Sequence, residues 1–171
     1  MAGIMCRLAK KRKKDIKRNV KKRKEKIHMK RIINTAIAYF IFAMAGGVFY
    51  REFTKWNGYT EQTTLGVLHV HLLVMGTFLF LLTALFAKIT MLAENLLFKK
   101  FFVLYNIALP AMTLMMLIRG IVQVLGLEVG KMGNGMISGF AGLAHIGMMI
   151  ALLLLLFAIK RELIQKQKTV K

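Results

Sequence analysis

The sequence predicts an all-α fold: a bundle of four transmembrane helices with both termini in the cytoplasm. Three observations predict it. The chain holds four apolar runs of membrane-crossing length, those runs are nearly free of charge, and Lys and Arg gather on flanks that alternate along the chain. With 171 residues there is room for one domain and hardly more. The chain is 57% hydrophobic with a mean hydropathy of +0.55, yet its net charge is +20. A soluble domain with that charge is normally far more polar. Apolar mass and positive charge must therefore occupy different segments, and residues Met1 to Arg31 hold 15 of the 27 Lys and Arg.

A helix needs about 20 mostly apolar residues to cross roughly 30 Å of hydrocarbon. The first span is expected from about Ile32 to Tyr50 and the second from about Thr64 to Ala87. The third, about Phe98 to Leu125, carries Pro110, where a kink can form. The fourth runs from about Met136 to Ile159. The expected domains are a disordered basic arm over 1–30, the four-helix domain over 31–160 and a basic cytoplasmic tail over 161–171.

Orientation follows from the short flanks. The arm is overwhelmingly basic, the second connection carries Lys88, Lys99 and Lys100, and the tail carries Lys160, Arg161, Lys166, Lys168 and Lys171. On the other side Arg51 and Lys55 are offset by Glu52 and Glu61, and Lys131 by Glu128. The basic segments thus share one side, the expected location being the cell membrane as a multi-pass protein. Trp56, Tyr50 and Tyr59 at the outer end of the first span suit an aromatic belt.

The arm has three readings. Lys10-Lys-Arg-Lys-Lys14 has the chemistry of an anionic-lipid contact. A charge run is also how a solvated tail that reinforces orientation looks, and Met29-Lys-Arg31 suits a natural start just before the first helix. No secretory signal is read here. The expected partners are the bilayer, anionic lipid at the arm, and either a second copy or a redox partner subunit; nucleic acid is not expected. The lone Cys6 excludes an intrachain disulfide or a thiolate metal cluster. No nucleophile–base or zinc-protease pattern is present, so hydrolysis has no visible nucleophile, and whether turnover occurs at all is left open by the sequence.

Ionisable groups inside hydrocarbon are functional candidates by default. Here they are His69 and His71 on the second span, Arg119 on the third and His145 on the fourth. At about 1.5 Å per residue, all fall in the outer half of the bilayer, with Arg51 just above. Two imidazoles facing each other in a bundle suit haem b, the propionates taking Arg119, Arg51 and Gln123 as partners. The competing reading is a cofactor-free polar cluster that fixes helix packing in a scaffold or assembly subunit. His69 and His71 differ by about 200° around a helix, so only one can share an iron with His145. A small transporter is a weaker reading, and so is Cu(I) handling by the 13 methionines, which lack a repeated ladder. Tyr39 and Asn106 lie at similar depth and predict an interhelical hydrogen bond.

Two resemblances add to this. Gly46-Gly-Val-Phe-Tyr-Arg-Glu-Phe-Thr-Lys55, Leu68-His-Val-His-Leu-Leu-Val-Met-Gly76, Phe102-Val-Leu-Tyr-Asn106 and Arg119-Gly120 resemble a bacterial membrane family known as domain of unknown function 2871. That resemblance covers Met29 to about Lys160 and implies a fold without an activity. Locally, His69-Val-His71-Leu-Leu-Val-Met-Gly76 is similar to the His-x-His helix of haem–copper oxidase catalytic subunits, where the two histidines ligate two haems from opposite faces. Without a further histidine trio, the similarity implies haem binding at most.

Overall fold

The computed structural model describes the backbone of residues 2–170 and the side chains of residues 11–167 apart from 21, 22 and 24. Cys6 and Lys10 lie outside the described side chains. Four long helices follow in order: α1 (Ala2–Trp56), α2 (Leu65–Ile89), α3 (Leu96–Val124) and α4 (Lys131–Val170). All four are long and apolar enough to cross a membrane. The second and third expected spans agree with α2 and α3 to within two residues, while α1 and α4 contain the first and fourth and run on beyond them. Helix α1 begins well before the first apolar span, its backbone helical through the basic arm. Lys and Arg are good helix formers, and the arm joins an apolar helix that is already nucleated.

Each helix buries a narrow stripe. On α1 it is Ile32, Ala36, Tyr39 and Ala43, and on α4 it is Ala144, Met148, Ala151, Leu155 and Ala158. Steps of three and four residues give the seam of closely packed, nearly antiparallel helices, and small residues let backbones approach. Helix α3 sits centrally. It packs along α4 on one side and meets α2 on another, while α1 packs mainly on α2. Helices α2 and α4 flank α3 without an extensive interface of their own.

Near the end that carries the basic segments, Phe80 is fully buried among Tyr39, Phe101, Phe102 and Tyr105, with ring centroids 5.6–6.1 Å away. Offset and edge-on contacts of this kind add to the apolar burial. At the same end Asn95 starts α3 by accepting from the Leu97 N–H at 2.9 Å, and its Nδ2 donates to Glu162 of α4 at 2.8 Å. The expected Tyr39–Asn106 bond is present, Oη to Oδ1 at 3.0 Å.

Around these seams the outer surface is apolar. Ile41, Phe42, Val48, Phe78, Leu85, Ile107, Leu143 and Leu156 are all more than half exposed. In water such a belt would drive aggregation; hydrocarbon is the solvent it fits.

Helix α2 changes pitch immediately after His71. Residues Leu72–Phe78 form a π-helical segment before the α-helix resumes at Leu79. Within it the Tyr105 hydroxyl donates to the Met75 carbonyl at 2.8 Å. Gly76 lies in this segment because α1 presses on it: a Cβ there would stand 2.6 Å from Tyr39.

Candidate functional site

The polar groups of the half away from the basic segments are positioned by contacts that fix how α2, α3 and α4 are rotated. Thr64, just before α2, bonds through Oγ1 to the Met116 carbonyl of α3 at 3.0 Å. Arg119 of α3 reaches Ser138 of α4, Nη1 to Oγ at 3.4 Å. These residues form an outer layer in which α2 and α4 meet α3.

One heptad inward from Thr64, Arg119 and Ser138 lie His71, Met112 and His145. Seven residues bring a helix back to within about 20° of the same face and move it roughly 10.5 Å along the axis. His71 therefore leaves α2 on the side that meets α3, and His145 leaves α4 on the side that meets Arg119. Two further contacts give the level. Leu65 lies against Gly120, and a Cβ at Gly147 would stand 3.3 Å from Ala108. Counting inward from these contacts puts both histidines at the level of roughly Pro110 to Met112 on α3. Met112 is buried, whereas His71 is half-buried and His145 exposed.

The imidazoles share a second property. His71 Nδ1 lies 2.9 Å from the Val67 carbonyl and His145 Nδ1 lies 2.7 Å from the Ala141 carbonyl. A carbonyl only accepts, so each Nδ1 carries the proton. In the neutral ring, Nε2 is then left as a lone pair, the tautomer a metal requires. Arg119 stands one heptad outward, with no carboxylate partner among the described residues.

The other expected residues lie elsewhere. His69 faces α1, where a Cβ at Gly47 would stand 3.6–3.8 Å from its side chain, and its Nδ1 is buried with no hydrogen-bond partner among the described residues. Arg51 lies in the last turns of α1 with its side chain 80% exposed and Glu52 at 3.8 Å, on a helix that does not pack along α4. Gln123 lies against the start of α2. Its Oε1 accepts from Thr63 Oγ1 at 3.0 Å, from the Thr64 N–H at 2.9 Å and from Thr64 Oγ1 at 3.2 Å, so it anchors the start of α2. The Thr63-Thr64 pair before an apolar run was the signal that could have revealed this. No group of three or more His, Cys, Asp or Glu able to hold a metal ion occurs among the described residues.

Four apolar helices with an apolar exterior point to a small four-helix membrane protein of unknown function. The chain belongs to the family described as protein of unknown function (DUF2871), whose model matches residues 29–162. No curated protein and no solved structure matches it.

Proposed function

We propose that the protein is a multi-pass membrane protein, both termini cytoplasmic, that binds haem b between α2 and α4 with His71 and His145 as axial ligands. The reading rests on one observation: two imidazoles at one level, on helices flanking α3, each with Nδ1–H tied to its own helix. That tie fixes ring orientation and raises the basicity of Nε2. Arg119 and Ser138, one heptad outward, offer donors to propionates. Met112 lies at the level of the ligands with a buried, adaptable apolar side chain. Bound haem would supply a one-electron couple, suited to electron transfer, sensing or a redox accessory role.

The test is the absorption spectrum of protein purified after expression with ample haem. A Soret band and a pyridine haemochrome equivalent to one haem per chain are expected. A colourless, folded protein would remove the cofactor and leave the alternative, a scaffold whose His/Arg layer contacts partner helices.

A further inference from the structure

On the opposite side of the bundle a groove runs between α1, α2 and α3, enclosing a cavity of about 790 Å³. Its walls are mainly apolar, with Phe42, Gly46, Leu72 and Leu117 among them, and its polar groups gather toward the basic end. There Arg31 holds its guanidinium 5.1 Å from the centroid of the Phe102 ring. It has no carboxylate partner among the described residues. Asn34, nearly one turn further in, is exposed and has no hydrogen-bond partner among the described residues. Tyr39 and Asn106, deeper still, are already bonded to each other.

From Arg31 to Phe49 the α1 wall extends about 27 Å, most of the roughly 30 Å hydrocarbon thickness. A slot of this kind fits an amphiphile with a negative head and a long apolar tail. We infer that this groove is a binding site for an anionic phospholipid, the phosphate held by Arg31 and Asn34 and one acyl chain lying along the wall from Ala38 to Phe49. Arginine is the side chain best matched to a phosphate, and its stacking on Phe102 orders it in advance. The inference rests on the membrane reading but is independent of haem, because the groove lies on the other side of α3 from Arg119.

Native mass spectrometry of the full chain, released from micelles containing equal phosphatidylglycerol and phosphatidylcholine of the same acyl chains, tests it. One retained phosphatidylglycerol per chain is expected, favoured about tenfold over phosphatidylcholine, whose phosphate is the same but whose choline cation is repelled by Arg31 and leaves the headgroup without net charge. R31Q should bring the two lipids to parity, and A45F, which fills the slot from its open side, should lose the adduct. K17Q removes the same charge from the arm and should retain it. Equal retention of both lipids by the unaltered protein, or no adduct at all, overturns the site. So does an R31Q protein that behaves like K17Q, which would assign the lipid to the arm's general charge.

Discussion

At the scale of single residues, the decisive distinction is between His69 and His71. Their separation in sequence establishes that they point apart, but not which one faces α4. That depends on rotational register, and register is set by Thr64 bonding to Met116 and by Gly47 lying under His69, contacts that no periodicity reveals. H71A and H145A should each abolish or sharply reduce bound haem, whereas H69A should leave haem content at the wild-type level, measured as pyridine haemochrome per protein. Haem loss in H69A with retention in H71A would reverse the assignment. The buried, unpartnered Nδ1 of His69 makes a second point: a polar atom in that state destabilises the fold. The three acceptor contacts of Gln123 all serve the start of α2, which the Thr63-Thr64 pair before an apolar run makes legible in the sequence.

At the scale of elements, the four spans are legible because hydrocarbon demands length and apolarity above all else, and composition reports both. The Tyr39–Asn106 bond is legible for a related reason: unpaired polar groups at equal depth in a bundle seek one another. Removing it with Tyr39→Phe should cost only about 0.6 kcal/mol in a reversible unfolding assay in detergent, the usual scale for such bonds. The π-helical turn of α2 is not legible, since its cause is packing: Gly76 admits the Tyr39 ring, and Tyr105 takes up the Met75 carbonyl. Gly76→Val puts side-chain atoms where Tyr39 stands and should destabilise by about 1–3 kcal/mol in the same assay. Gln123→Ala removes the acceptor at the start of α2 and should cost about 1 kcal/mol, the usual worth of a helix cap.

At the scale of the whole molecule, charge and shape work together. The basic arm, Lys88, Lys99, Lys100 and the basic tail all belong to one end, where Asn95 and Glu162 join α3 to α4. Positive flanks are retained on the cytoplasmic side, so a reporter fused after Lys171 should be active in the cytoplasm and inactive when directed outward. Moving the arm's lysines to the connection between α1 and α2 should disturb that orientation. Of the candidate site, depth and residue type mark His71, His145 and Arg119 in the sequence, while their placement around α3 comes from the way α2 and α4 flank that helix.

The most direct test of the proposed ligation is the electron paramagnetic resonance spectrum of the oxidised protein. Two imidazole ligands should give a low-spin ferric signal, and H145A, left with one, should turn any residual haem high-spin. An unchanged low-spin signal in both H71A and H145A, or no haem signal in the unaltered protein, would contradict the account.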